Sequence, residues 1–377
     1  MIKFCKTCLN PSTRPNIKFD KNGKCYVCVY ESSKKLDFKY KKYEWEKKNR
    51  EIQSIKEWAR KNKTNSNYDC IIPVSAGKDS YRQAFYVRDV LKMNPLLVCN
   101  SYPPEQLTSI GAANMDNLIK KGFDVIIISL DPVVWKKLYR FCLKKHGNMM
   151  KASEMALYAA PVHIAISYGI PLMFYGENPA HTIGEKHGEL TGNAIGIRKG
   201  NTIKGGPLSL GFKFTKKSDY FFYNYPSLKN ISRNNLKIIY LGYYIKDWYG
   251  YKNAKFAINK GFKKRTDKPI NTGDLWGFTG VDDDIRLVNQ YLKYLKFGFG
   301  HVTDQVIEAI HQGFLTREEA IKIVKKYDGA CSQKYILKFC KYAKINKKQF
   351  DKYLDTIVNK KLFKKKSNKW IPNFQVK

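Results

Sequence analysis

Residues 68–81 read Tyr-Asp-Cys-Ile-Ile-Pro-Val-Ser-Ala-Gly-Lys-Asp-Ser-Tyr, and this stretch decides the predicted fold. Its first part, residues 69–74, is short and mostly apolar, as in a buried strand, and a helical pattern begins at Gln83. Between them lies the small polar segment Ser75-Ala76-Gly77-Lys78-Asp79-Ser80. A strand-to-helix turn in a parallel α/β sheet offers backbone N–H groups and a positive helix end to an anion. The segment therefore predicts a phosphate site, with an ordinary polar turn as the alternative.

The phosphate loop known as Walker A requires Gly-x-x-x-x-Gly-Lys followed by Ser or Thr. Here Asp79 follows Lys78, and Ile72 stands five residues before Gly77, so that pattern fails twice. The segment instead resembles the Ser-Gly-Gly-x-Asp-Ser loop of the PP-loop ATP pyrophosphatases, which transfer AMP to an oxygen and release pyrophosphate. Ala76 departs from this pattern, because the family usually has Gly there and a methyl group restricts the backbone.

The resemblance implies an ATP site formed by Ser75, Ala76, Gly77, Lys78, Asp79 and Ser80. Lys78 and Asp79 are the candidate catalytic residues. Lys78 would hold the β and γ phosphates, whereas Asp79 would bind Mg²⁺, which prefers oxygen ligands, or orient a donor.

Strand and helix patterns alternate across residues 67–250, which indicates an α/β fold with a doubly wound, mostly parallel, Rossmann-like sheet. The predicted strands are 69–74, 95–99, 124–129, 171–175 and 237–245, and the predicted helices are 79–92, 105–121, 132–145 and 152–168. Ligands in such sheets bind beyond the carboxyl ends of the strands. This rule adds Asn100 to the ATP site and places Asp131, Glu177 and Asn178 on the same rim.

Four cysteines form two pairs near the start, Cys5-x-x-Cys8 and Cys25-x-x-Cys28. This spacing is typical of a tetrahedral four-thiolate Zn²⁺ site, and four thiolates leave no open position for catalysis. We therefore predict a structural zinc ribbon over residues 1–30, with an unmetallated redox pair as the alternative.

Outside the sheet, the chain is predicted to be largely helical. Residues 31–66 indicate a helical linker, and residues 251–377 indicate a mainly helical C-terminal region in which Thr316 and Glu319 match a capping box. The basic run 360–369 is expected to fray.

Two loop segments are candidates for binding the substrate. The Gly-rich segment at about 180–235 contains His181, Glu185, His187 and Glu189, but their spacing does not fit a His-Glu-x-x-His metal site. A substrate-binding loop that includes His181 is the interpretation we favour. Farther on, Asp274 and Trp276 lie in a run of Gly, aromatic and acidic residues. Either these residues stack on a sugar ring and bind its hydroxyl groups, or they form a buried turn.

The formal net charge of +37 suits phosphate-bearing substrates. It reflects either a functional basic surface or a general bias toward Lys, and we leave both open. No run of about 18 apolar residues and no signal-peptide core occurs, so we expect a cytoplasmic protein without a membrane span.

Several motifs occur together in one order: the cysteine pairs, the Ser75–Ser80 segment, Tyr-Gly-Glu-Asn-Pro at 175–179, Tyr-Leu-Lys-Tyr-Leu-Lys-Phe-Gly-Phe-Gly-His at 291–301, and Leu-Thr-Arg-Glu-Glu-Ala-Ile at 315–321. In this combination the chain resembles the N-acetyl sugar amidotransferases of bacterial surface-glycan synthesis, which include the pseudaminic acid amidination enzyme of flagellin modification. The resemblance implies that an acetamido group of a sugar is converted to acetamidino at the expense of ATP. It also implies that Glu177 and Asn178 line the site.

That family obtains ammonia from glutamine, but this chain carries no recognisable glutaminase. The nearest approach to a Gly-x-Cys-x-Gly elbow is Gly329-Ala-Cys331-Ser-Gln, and residue 2 is Ile rather than an exposed Cys. We therefore predict partners that resemble a glutaminase and cyclase pair. Two alternatives remain: a tRNA-modifying PP-loop enzyme, and a non-catalytic zinc-ribbon module that binds nucleic acid. The tRNA-modifying enzyme is less favoured, because the remaining cysteines form no close pair for sulfur relay, and we expect that nucleic acid is not the partner.

Overall fold

A computed structural model describes residues 2–33, 38–64, 66–177, 191–200, 202–211, 213, 216–367 and 369–377. The chain forms two units, and each consists of separate stretches of sequence. Unit 1 comprises residues 1–35, 136–150 and 265–377, and unit 2 comprises residues 36–135 and 151–264. The cysteine pairs thus share a unit with most of the C-terminal region, and the Ser75–Ser80 segment lies in the other unit.

Unit 2 is built on a five-stranded sheet in which every neighbouring pair is parallel. Its strands are β1 (Cys70–Pro73), β2 (Pro95–Ser101), β3 (Val125–Ser129), β4 (Leu172–Tyr175) and β5 (Lys237–Tyr240). The spatial order is β3-β2-β1-β4-β5. The chain therefore moves outward from β1 to β3 and then returns to pair β4 with β1. This reversal makes the β1–β4 boundary the topological switch point, where ligands of open α/β sheets bind.

The helices agree with the predicted alternation to within a few residues, apart from the changes noted below. They are α1 (Tyr26–Ser33), α2 (Phe38–Asn62), α3 (Lys78–Phe85), α4 (Ser109–Lys120), α5 (Pro132–His146), α6 (Lys151–Ser167), α7 (Leu228–Arg233), α8 (Gly250–Asn259), α9 (Pro269–Thr272), α10 (Ile285–Phe297), α11 (His301–His311), α12 (Arg317–Tyr327), α13 (Gln333–Ala343) and α14 (Lys347–Ile357). None of the described helices is both long enough and apolar enough to cross a membrane.

The central strands β1, β2 and β4 are buried on both faces, as is usual in parallel sheets. Ile71, Val98 and Met173 from three neighbouring strands lie in one core with Ala160 and Ala165 of α6. The small alanine side chains let this helix approach the sheet closely. The predicted α/β sheet is thus present, with five parallel strands.

Three predictions of local structure in unit 2 need correction. The α-helix expected at 79–92 ends at Phe85. A π-helical turn (Tyr86–Val90) follows it, in which Leu91 N–H donates to Tyr86 O. The strand expected to reach residue 245 stops at Tyr240, because Gly242 N–H donates to Gly176 O and the chain turns. The segment expected to be a loop at 180–235 contains 3₁₀ turns at 195–199, 207–210 and 217–223, together with α7.

In unit 1, the basic run 360–369 forms an antiparallel hairpin instead of a frayed end. Its strands are β6 (Phe363–Lys366) and β7 (Lys369–Pro372). Phe363 is buried against Tyr294 and Phe374, with ring centroids 5.2 Å and 5.8 Å away. Asp355 accepts hydrogen bonds from Lys365 and from the Trp370 indole. These tertiary contacts fix a segment whose own composition favours disorder.

Candidate active site and metal centre

The Ser75–Ser80 segment lies at the carboxyl end of β1, beside the end of β4. Val74 N–H still bonds to Val98 O in the neighbouring strand (2.9 Å), and the chain then leaves the sheet. Ser75 N–H donates to Ser80 Oγ (3.1 Å), so the loop closes back onto the first turn of α3. Gly77 caps α3 without a side-chain acceptor for the first-turn N–H groups. Those groups have no acceptor within the helix, and they suit an anion.

Ala76 occupies the left-handed region, with φ of +56°, and is buried. Glycine adopts this conformation without steric cost, whereas an L-residue is strained there by about 1 kcal/mol or more. The position at which this chain departs from the PP-loop pattern is therefore a position whose backbone favours Gly. Gly77, by contrast, has an extended backbone that any residue can adopt, but an added Cβ would lie 3.3 Å from Ser75 Oγ.

We expect Ala76→Gly to change the free energy of unfolding by less than about 1 kcal/mol, because relief of the left-handed strain offsets the lost methyl contacts and the added chain entropy. The matched control is Ala84→Gly within α3, where the same deletion relieves no strain and should cost about 1 kcal/mol or more. Urea unfolding of both variants measures the difference. Equal destabilisation by the two changes would show that Ala76 is not strained.

Lys78 and Asp79 form an ion pair at the start of α3, with 2.5 Å between Nζ and Oδ2. Asn253, from α8, donates its side-chain N–H to the other carboxylate oxygen of Asp79 (2.8 Å). Asn253 is fully buried, and its own Oδ1 has no hydrogen-bond partner. The carboxylate of Asp79 is thus fixed from two sides, and it in turn holds the ammonium of Lys78. Sequence reasoning missed Asn253, because nothing in α8 distinguishes it from other polar residues of that helix.

Arg82 and Gln83 follow Asp79 by three and four residues and so share its face of α3. Arg82 is paired with Asp247 (2.6 Å). Gln83 lies close to Gly176, the first residue after β4, since a Cβ there would come within 3.1 Å of Gln83 Nε2. Glycine at position 176 therefore lets the end of β4 lie directly against α3, and Glu177 follows it as an exposed residue.

Several buried polar atoms in this part of unit 2 lack hydrogen-bond partners. They are Arg82 Nε, Gln83 Oε1, Asn100 Oδ1 and Asn253 Oδ1. Buried polar groups in native proteins are normally bonded, so such atoms identify places where a polar ligand fits. Asn100, predicted from its position after a strand, is the next-to-last residue of β2 and is itself buried. Three of these four atoms are amide oxygens, which accept hydrogen bonds, and Arg82 Nε is a donor, so a ligand that carries both donors and acceptors would satisfy them.

The predicted substrate residues fall into three groups. Glu177 lies at the β4 end described above. Asn178 and His181, together with Glu185, His187 and Glu189, lie outside the described residues. Asp274 and Trp276 lie in unit 1.

Asp274 is buried, and its carboxylate organises a turn. One oxygen accepts hydrogen bonds from the backbone N–H groups of Trp276 and Gly277 (3.1 Å each) and from Gln305 Nε2 (2.6 Å). Trp276 stacks on Phe278, with ring centroids 5.3 Å apart. These contacts are those of the buried turn that the sequence left open as an alternative to a sugar site.

His301 faces the same part of unit 1. Burial lowers the pKa of His301 to about 4, although the carboxylates of Asp274 and Asp304 oppose that shift; the charges of Arg286 and Lys293 add to it. Its Nε2 is buried without a hydrogen-bond partner. The imidazole is therefore neutral in the folded protein at neutral pH.

In the unfolded state His301 has a pKa near 6.5 and is protonated below that pH. In the folded state it stays neutral until about pH 4, so between these values only the unfolded state binds the proton. We expect the free energy of unfolding to fall by about 1 to 2 kcal/mol between pH 7 and pH 5, and to do so less in His301→Gln. Urea unfolding at both pH values tests this. The same pH dependence in the variant would show that His301 is not its source.

The four cysteines predicted as metal ligands come together in unit 1. All four are buried, and their sulfur atoms lie within 4.8 Å of one another. Cys5 Sγ lies 3.7 Å from Cys28 Sγ, and Cys8 Sγ lies 3.6 Å from Cys25 Sγ. A tetrahedron with Zn–S bonds of about 2.3 Å has S–S edges of about 3.8 Å, whereas a disulfide would need about 2.05 Å. The geometry fits Zn²⁺ and excludes a disulfide between these pairs.

The electrostatics of the cysteine cluster agree with a bound cation. Four buried thiolates whose sulfur atoms lie within 4.8 Å of one another need compensating positive charge, which a Zn²⁺ ion would supply. The second cysteine pair also differs from the predicted ribbon in one respect, because Cys28 already belongs to α1.

Comparison with known families concerns the C-terminal part of the chain. A model of the family described as "LPS biosynthesis protein WbpG-like, C-terminal domain" matches residues 251–375, from α8 to the β6–β7 hairpin and its tail. No curated protein sequence matches the chain. The family match indicates a role in lipopolysaccharide or other glycan biosynthesis, and it supports the sugar-related part of the resemblance noted above. The Ser75–Ser80 loop lies outside the matched residues.

Proposed function

We propose that this chain is an ATP-dependent, AMP-forming amidotransferase that converts an acetamido group of an N-acetylated sugar to acetamidino for surface-glycan or flagellin modification. The observation that carries the proposal is the Ser75–Ser80 loop at the β1–β4 switch point, with its Lys78–Asp79 pair and the unpartnered polar atoms around it. The WbpG-like match at 251–375 supports a glycan substrate. Sugars of the pseudaminic or legionaminic type and UDP-linked acetamido sugars are the candidates.

In the proposed reaction, the acetamido oxygen attacks the α-phosphorus of ATP and pyrophosphate leaves. Ammonia then adds to the imidate carbon, and AMP departs with the former amide oxygen while the nitrogen loses a proton. An amide oxygen is a poor leaving group by itself, so adenylation is what makes the exchange feasible. Mg²⁺ would neutralise phosphate charge, and Asp79 supplies oxygen ligands of the kind it prefers.

The protein's own groups have to position the reactants and stabilise charge. The first-turn N–H groups of α3 and the ammonium of Lys78 would bind the phosphates. Asn253 is a positioning residue, since it acts through Asp79. Glu177, Asn178 and His181 would face the sugar, because they follow β4 at the switch point.

The test is mass spectrometry of candidate acetamido sugars incubated with the purified chain, ATP, Mg²⁺ and ammonium. The expected result is a product in which NH replaces O, formed together with AMP and pyrophosphate. Release of ADP would contradict the proposal, and so would AMP formation that depends on tRNA instead of the sugar. Because we propose a separate glutaminase partner, glutamine should not replace ammonium for the chain alone.

A further inference from the structure

His311 is the last residue of α11 and lies next to the cysteine cluster of unit 1. Its Nε2 is 3.2 Å from Cys28 Sγ, within hydrogen-bonding distance of sulfur. The two residues are 283 positions apart in the sequence. We propose that His311 is a positioning residue of the metal centre: it donates a hydrogen bond to the Cys28 thiolate and thereby makes metal retention depend on α11.

The need for such a donor follows from charge. Zn²⁺ bound to four thiolates carries a net charge of −2, and the four sulfurs are buried. Buried charge is tolerated only where hydrogen bonds satisfy it. Three donors come from the N-terminal segment itself: Thr7 N–H and Cys25 N–H to Cys5 Sγ (3.4 and 3.2 Å) and Asn10 Nδ2 to Cys25 Sγ (3.7 Å). Of the donors described, His311 alone comes from another part of the sequence.

The distance favours a hydrogen bond over direct ligation by His311. A Zn–N bond of about 2.05 Å and a Zn–S bond of about 2.3 Å would put ligand atoms about 3.6 Å apart in a tetrahedron. The observed 3.2 Å is shorter, and four sulfurs already complete the tetrahedral set. A metal-bound thiolate has no S–H, so Nε2 must carry the proton in this contact.

Packing extends the connection beyond a single hydrogen bond. Ile307 of α11 belongs to the same buried cluster as the four cysteines, and Ile310 packs against it. Arg14, from the N-terminal segment, pairs with Asp304 of α11 (2.5 Å) and also donates to Asn10, the donor to Cys25. The metal centre is therefore built jointly by residues 5–28 and by one face of α11.

The test uses the full chain loaded with zinc or with Co²⁺. We expect His311→Leu to transfer its metal to a colorimetric chelator about 10–100-fold faster than the wild type, because loss of an outer-shell partner usually lowers metal affinity by that factor and the loss should appear in the rate of metal release. His311→Gln keeps a side-chain N–H and should restore most of the slow transfer. The matched control is Gln312→Leu at the same helix end. The capping hydrogen bond of Gln312 runs from its backbone N–H to Glu308 O, so the substitution leaves it intact. This variant should release its metal at the wild-type rate.

The Co²⁺ spectrum separates the two possible roles of His311. We expect four-thiolate ligand-field bands in all variants, with a shifted thiolate-to-cobalt band in His311→Leu only. Metal transfer from His311→Leu at the wild-type rate would overturn the proposal. A change in the ligand-field bands of Co²⁺-loaded His311→Leu that indicates loss of a nitrogen ligand would also overturn it. If His311→Leu does not fold, His311→Ala takes its place, because it also removes the N–H donor and is held to the same expected and overturning results.

Discussion

Lys78→Ala is expected to lower ATP-dependent pyrophosphate release by about 10²–10³-fold, the usual effect of deleting one preorganised charge or donor at a reacting group. The side chain of Lys78 is mostly buried, and its ammonium pairs with Asp79 at the start of α3. It would stabilise negative charge as pyrophosphate leaves, so its loss should lower kcat more than it raises KM for ATP. The measurement is pyrophosphate release with the acetamido sugar, Mg²⁺ and ammonium.

Lys120→Ala is the matched control for the loss of one positive charge. Lys120 is exposed at the end of α4 and pairs only with Asp116 on the same helix among the contacts described. This variant should keep wild-type activity. Wild-type activity in Lys78→Ala would remove the catalytic role proposed for the loop. If the chain were a non-catalytic nucleic-acid-binding module, both lysine variants would instead weaken binding slightly and by similar amounts.

The adjacent variants separate positioning from direct action. Asp79→Asn removes the charge that holds Lys78, and a Mg²⁺ ligand in the proposed mechanism, so its defect should approach that of Lys78→Ala. Asn253→Ala removes only the outer support of Asp79. It should therefore give a smaller loss, and higher Mg²⁺ should restore part of the activity because the carboxylate itself remains.

The sequence predicted those features that depend on local pattern. The apolar runs predicted all five strands of the sheet, because the central strands β1, β2 and β4 are buried on both faces and the edge strands β3 and β5 are still mostly apolar. The two Cys-x-x-Cys pairs predicted the cysteine cluster, because the spacing itself is set by tetrahedral coordination. Thr316 and Glu319 predicted the start of α12, and both capping hydrogen bonds are present.

What the sequence did not predict depends on contacts between distant segments. Asn253 supports Asp79 from 174 residues away, and His311 meets Cys28 across 283 residues. Neither residue belongs to a local pattern. The β6–β7 hairpin was missed for the same reason: a Lys-rich run becomes ordered only because Asp355 and the pocket for Phe363 are supplied by other elements.

Cys8→Ser is expected to remove bound zinc and to destabilise unit 1 strongly. Structural zinc sites of this kind contribute on the order of 10 kcal/mol in small peptides, and here that binding energy would help to fold the N-terminal segment. Cys8 is fully buried among the other three cysteines, so its loss leaves an incomplete ligand set and a buried hydroxyl. Because Ile307 packs in the same cluster, hydrogen exchange should increase in α11 as well as in residues 5–28. Metal analysis and hydrogen exchange by mass spectrometry measure the two effects.

Cys340→Ser provides the control, because Cys340 is also a buried cysteine of unit 1 but lies outside the metal cluster. It should retain one zinc per chain and show the usual cost of a buried polar substitution, about 1 to 3 kcal/mol. Equal zinc content and equal exchange in the Cys8 and Cys340 variants would contradict a structural metal site and favour the unmetallated redox pair.

The two alternatives also differ without any mutation: a zinc site protects its thiols from alkylation until a chelator is added, whereas a reduced pair reacts at once on local opening. The effect on α11 then shows whether the metal stabilises only the N-terminal segment or also the C-terminal helices against which it packs.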